Sequence, residues 1–73
     1  MKAKINGVFY NTEESKPLCT YYHAADENGT RLIETAFRTR GDMYFLVRGT
    51  CETDKKIIPM TYDQMASWSL LKG

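Results

Sequence analysis

Cys19, His23 and Cys51 are the residues whose types could do chemistry together. Two thiolates and an imidazole suit zinc. A structural zinc site wants four ligands, usually in close pairs such as Cys-x₂-Cys. Here no tight pair exists, and a carboxylate would have to supply the fourth ligand. Cys19 and His23 stand four positions apart; in a strand they share a face but lie ~13 Å apart, too far to share an ion. Either cysteine with His23 could instead form a thiol–imidazole couple for nucleophilic attack. The chain has one histidine, no recognisable oxyanion-hole turn, and five glycines scattered singly rather than massed in a phosphate-binding loop. No residue is assigned a catalytic, cofactor-binding or metal-binding role, and a non-enzymatic protein is expected.

Two tripeptides carry recognition meanings. Arg40-Gly41-Asp42 matches the integrin-binding string, and Asn28-Gly29-Thr30 matches the N-glycosylation pattern. Both meanings require export. The start, Met1-Lys-Ala-Lys-Ile-Asn-Gly7, has no apolar stretch of the signal-peptide kind, and no run approaches the ~20 apolar residues of a membrane span. A cytoplasmic location with no membrane partner is expected, with both thiols reduced. The two tripeptides then read as turns.

Ten basic against nine acidic side chains give a net charge of +1, without the basic excess of a dominant nucleic-acid binder. At 73 residues, 42% hydrophobic and 26% charged, the chain reads as a single domain, residues 1–73, with a thin core.

The elements follow from turn chemistry. Asn6-Gly7 between Lys2–Ile5 and Val8–Tyr10 predicts a hairpin with a type I′ turn. Asn11–Lys16 reads as one helical turn, stopped by Pro17. Leu18–Ala25 reads as a strand, and Asp26–Gly29 as a turn. The loudest signal is a long hairpin, Arg31–Arg38 and Met43–Arg48, around Thr39–Asp42. A polar loop, Gly49–Asp54, leads to a short strand, Lys55–Ile58, closed by Pro59. Thr61-Tyr-Asp-Gln64 is a capping box that opens a C-terminal helix, with Gly73 as its stop. On that helix Tyr62, Ala66 and Leu70 adjoin Met65 and Trp68 in an apolar arc; Leu71 falls on the polar side without explanation. The expected fold is α+β: an antiparallel sheet of about five strands built from hairpins, with one C-terminal helix packed on one face.

A two-residue turn at Arg40-Gly41 or Gly41-Asp42 sorts the long hairpin into two faces. One carries Leu32, Glu34, Ala36, Arg38, Met43, Phe45 and Val47; a three-residue turn would change the relation between the strands. This face is taken as the core, with Trp68 seated opposite Ala36, a burial worth about 3–5 kcal/mol. Glu34 and Arg38 must then reach its rim. The other face presents Arg31, Phe37, Tyr44, Leu46 and Arg48 as a candidate binding surface. Aromatics beside arginines suit a protein partner first and single-stranded nucleic acid second, unless the N-terminal hairpin or the Leu18–Ala25 strand covers them as a second layer. An uncovered edge or face could also pair two copies as a homodimer.

The ordered motifs Ile5-Asn6-Gly7, Tyr10-Asn11-Thr12, Glu34-Thr35-x-Phe37-Arg38, Tyr44-Phe45-Leu46, Gly49, Ile58-Pro59-x-Thr61 and Met65-Ala66-x-Trp68 span nearly the whole chain. In this order the sequence resembles short uncharacterised proteins carried on conjugative transposons and prophages of low-GC Gram-positive bacteria. It departs from them at Asn11, where Asp is usual, at Phe37-Arg38, and in a Gly49–Asp54 loop without their Gly-rich stretch. The resemblance carries over no catalytic residue. It implies an accessory role in a mobile genetic element, such as binding nucleic acid during transfer or blocking host defences.

Overall fold

A computed structural model describes residues 1–51 and 53–72, apart from the side chain of Lys72; the expected stop at Gly73 lies outside the described residues. Asn6 and Gly7 both sit at positive φ, 51° and 80°, as a type I′ turn requires. They close β1 (Lys2–Ile5) onto β2 (Val8–Asn11) with Ile5 opposite Val8. Asn11 then caps a single 3₁₀ turn, Thr12–Glu14, its side-chain oxygen accepting from the Glu13 N–H at 3.0 Å.

Pro17 does not act as the stop. It lies inside β3 (Lys16–Tyr22), opposite Phe37. β3 is an edge strand, where a missing N–H is tolerated. Leu18 is the extra residue of a bulge, since the register steps from Pro17↔Phe37 to Cys19↔Ala36. The strand ends at Tyr22, before the expected Ala25. There Asp26 organises the next turn, its carboxylate accepting from the N–H groups of Asn28 and Thr30 at 2.8 and 2.9 Å.

β4 (Ile33–Arg38), β5 (Tyr44–Gly49) and β6 (Lys56–Met60) complete an antiparallel sheet in the order β3-β4-β5-β6. Pro59 was expected to close the last strand; it instead lies within β6, opposite Phe45, again on an edge. The fold is α+β, as the sequence predicts. The described residues hold six strands in two sheets, with β1–β2 forming its own two-stranded layer.

The long hairpin corrects the expected core. Its turn is the three residues Arg40-Gly41-Asp42, bracketed by a Thr39 N–H to Met43 C=O bond of 2.8 Å. The left-handed position falls on Asp42, φ 62°, rather than on Gly41. Such loops place a left-handed residue after a type I turn. Asp42 is held there by an ion pair with Arg38. The resulting register sets Ala36 opposite Leu46 and Phe37 opposite Phe45. Every β5 residue therefore faces the side opposite to the one expected relative to β4.

Two clusters fill the molecule, one on each face of the four-stranded sheet. Ala36, Leu46, Met65 and Trp68 pack beneath the helix, with Tyr21, Tyr44, Ile58 and Met60 around them. Tyr10, Phe45 and Val47 pack beneath the N-terminal hairpin, with Ile5, Val8, Phe37 and Ile57. Phe45 and Leu46, adjacent in sequence, are both buried because both faces are covered; each burial is worth about 1.5–3 kcal/mol. Trp68 does sit with Ala36, but its other neighbour is Leu46, and Phe45 and Val47 belong to the far side. Met43, expected in the core, is exposed.

Helix α1 (Tyr62–Lys72) begins with the predicted capping box. The Gln64 N–H donates to Thr61 Oγ1 at 3.1 Å, and the Thr61 N–H to Gln64 Oε1 at 2.9 Å. The helix buries its middle against the sheet. Met65 and Trp68 are buried, whereas Tyr62 and Leu70 of the expected arc are exposed, as is Leu71.

Candidate functional site

The five residues of the expected binding surface do not form one surface. Tyr44 and Leu46 lie on the helix side: Leu46 is buried, and Tyr44 is half-buried with its ring edge-on to Tyr62 at 5.8 Å. Phe37 lies on the opposite side, stacked on Phe45 at 5.1 Å under the hairpin. Arg31 is exposed in the segment before β4. Arg48 is exposed at the end of β5, but its guanidinium is engaged. The three-residue turn Arg40-Gly41-Asp42 produces this grouping, because a step of one residue moves a whole strand to the other face.

What engages Arg48 is a polar cluster that the sequence did not reveal. Glu34, expected at a rim, is 2% exposed. Its Oε2 accepts from Arg48 Nε at 3.0 Å and from the terminal guanidinium nitrogen at 2.8 Å. Its Oε1 lies 2.5 Å from His23 Nε2. Tyr21 meets the His23 ring edge-on at 4.8 Å. Burial pushes the Glu34 carboxyl up, but the hydrogen bonds of His23 and Arg48 and the arginine charge outweigh it, leaving the group below its ordinary 4.5. The signal was present in the correct register, where Glu34 faces both Tyr21 and Arg48 across the ladder. His23 is thus joined to a carboxylate rather than to either thiol.

Cys19 is exposed on β3 and Cys51 is exposed in the loop after β5. Among the described residues, no three His, Cys, Asp or Glu side chains gather within reach of one metal ion. Asp54 organises the Cys51 loop, accepting from the Thr50 hydroxyl and, at 2.8 Å each, from the N–H groups of Thr50 and Cys51. The Thr50 hydroxyl is the largest reason that the Asp54 carboxyl is lowered to about 2. The Cys51 thiol lies 3.1 Å from the Thr53 hydroxyl, which, with the Thr53 N–H, draws it below its ordinary 9.0.

This loop forms one wall of a cleft of about 720 Å³. Ile33, Thr35, Phe37 and Val47 make its floor on the hairpin side of the sheet. Met1 and Thr12, at the open end of the N-terminal hairpin, make the second wall; Thr50, Cys51 and Lys55 make the first. The short hairpin covers Phe45 and Val47 but leaves Ile33, Thr35 and Phe37 half-open. Chemically the site is an apolar trough with a thiol and an ammonium at its lip. No family model matches the chain, and no curated protein or solved structure matches it. Among the described residues, no helix is long and apolar enough to cross a membrane.

Proposed function

We propose that the chain is a small non-enzymatic interaction module, and that the cleft between the N-terminal hairpin and the Gly49–Lys55 loop receives an apolar side chain of a protein partner. The observation that carries this reading is the half-open floor of Ile33 and Phe37, backed by the buried Val47, in a chain otherwise short of apolar core. Contiguous apolar surface of this kind is costly to leave in water, and marks contact sites. The motif order shared with proteins of conjugative transposons and prophages supports an accessory role in a mobile element. The single-strand alternative draws less support, since Arg48 and Arg38 are already paired with Glu34 and Asp42.

The test fills the cleft from both sides. Ile33→Arg blocks its floor and Cys51→Trp blocks its wall. The wild-type chain is expected to enrich one host protein in stoichiometric amount, and each variant to lose it while keeping the wild-type circular dichroism. Equal enrichment by folded variants refutes the cleft as the site.

A further inference from the structure

The outer edge of β3 is an open hydrogen-bonding surface. β3 ends the strand order, and six of its seven residues are exposed. The His23 N–H bonds the Leu32 carbonyl at 2.9 Å. Backbone groups alternate sides along a strand, so His23, Tyr21 and Cys19 turn theirs toward β4. Thr20 and Tyr22 then turn theirs outward. The Thr20–Thr35 pair agrees with this: non-hydrogen-bonded partners stand closest, and their hydroxyl oxygens are 3.1 Å apart.

Edges of this kind are normally blunted by lysine, proline, a bulge or a covering segment. The opposite edge is so protected, with Lys55 and Lys56 at its start, Pro59 within it and β1 against it. On β3 the guards stand at one end only, where Lys16, Pro17 and the Leu18 bulge lie. From Pro17 to Ala25 no Lys, Arg, Asp or Glu occurs, in a chain that is 26% charged.

We propose that two copies of this chain join antiparallel along β3, with Thr20 of one copy opposite Tyr22 of the other and Tyr21 on the two-fold axis. Two four-stranded sheets then become one continuous sheet. The register follows from the groups available. Each Thr20 N–H donates to a Tyr22 carbonyl of the second copy, and each Tyr22 N–H to a Thr20 carbonyl. Pairing Thr20 with itself would set Tyr22 against the bulge at Leu18; pairing Tyr22 with itself would set Thr20 against Ala24, beyond the strand. A second copy fits because the strand is complementary to itself, as an isologous contact demands. Tyr22 and Leu18, 60% and 43% exposed, flank the seam. A chain this short gains stability from such an assembly. The seam shares no residue with the cleft, although Thr20 and Tyr22 stand opposite its floor residues Thr35 and Ile33; the mass measurement reads the seam and partner capture reads the cleft.

Sedimentation equilibrium of the full chain, from micromolar to millimolar concentration, is the first measurement. The mass is expected to rise from one chain to two. Tyr22→Pro removes an outward N–H and leaves the β4 ladder intact; it is expected to stay at one chain with the wild-type circular dichroism. Register is read by cross-linking in a Cys19→Ser, Cys51→Ser background. There Tyr21→Cys sets two thiols at a non-hydrogen-bonded pair, Cα atoms ~4.5 Å apart and within disulfide reach, so mild oxidation gives a covalent dimer. Tyr22→Cys is expected to give none. A wild-type mass of one chain at millimolar concentration overturns the proposal, as does undiminished dimerisation of Tyr22→Pro. A dimer that cross-links through position 22 and not 21 overturns the register.

Discussion

Removing the charge of Glu34 while keeping its shape is the sharpest probe of the core. In Glu34→Gln the amide oxygen can keep the Arg48 fork, but both bonds lose their carboxylate partner, and His23 loses its acceptor at 2.5 Å. Hydrogen bonds to charged groups contribute about 1.5–3 kcal/mol each. His23 and Arg48 are, however, 27% and 45% exposed and regain water when released. The net loss at neutral pH is therefore expected near one such bond, about 2 kcal/mol. For a chain of this size that is a large share of a total of about 3–5 kcal/mol. Urea unfolding followed through Trp68, the single tryptophan, reads it directly. The pH dependence has a definite sign. The native carboxyl lies below its ordinary 4.5, so its contribution is complete above that value and disappears as pH falls through the native one. The gap between wild type and Glu34→Gln should close in acid, because the variant has nothing to titrate there. A gap under about 0.5 kcal/mol at neutral pH would refute the argument, since that is the scatter of an ordinary surface substitution. So would a gap that persists unchanged in acid.

Two further outcomes follow from the loop after β5. A Cβ on Gly49 would lie 2.9 Å from the Lys55 Cα, a backbone atom that cannot turn aside, so Gly49→Ala should cost about 1–3 kcal/mol in the same urea assay; a wild-type midpoint would show that the loop is not held as described. Thr53→Val removes the hydroxyl that draws the Cys51 thiol below its ordinary value, so alkylation of Cys51 by iodoacetamide near neutral pH should slow roughly two-fold, followed by peptide mass spectrometry; an unchanged rate would count against that hydrogen bond.

Local chemistry was legible wherever one or two residues decide the structure. Asn6-Gly7 announces its turn because few residues accept two successive left-handed conformations. Thr61 and Gln64 announce the helix start because their bonds are reciprocal and three positions apart. The prolines misled for the opposite reason. Pro17 and Pro59 look like terminators, but on edge strands a missing donor faces no neighbour, and both strands run through them. Periodicity specifies a direction and not how far the partner sheet extends beneath the helix, so at the ends of the arc Tyr62 meets only the ring of Tyr44 and stays exposed, as does Leu70.

The surface was not legible, for one physical reason. In a hairpin, which side chains share a face depends on which residues form the turn. Gly41 is the cheapest residue to place at positive φ, yet Asp42 occupies that position and Arg38 anchors it there. The side of Tyr44 rests on that choice. What favours it is burial: the observed register buries Phe45 under one layer and Leu46 under another, and pairs Glu34 with Arg48. The alternative would turn Glu34 and Arg38 toward the same side as Phe45, with no cross-strand arginine opposite Glu34. Net burial and one satisfied carboxylate outweigh the small cost of a left-handed aspartate. Once both sheet faces carry a layer, contact surfaces are what the layers fail to cover, namely the cleft floor at Ile33 and the bare edge at Thr20 and Tyr22. Neither is marked by alternation along a strand. Both follow from the hairpin being short and β3 being the outermost strand, which are properties of the assembled molecule.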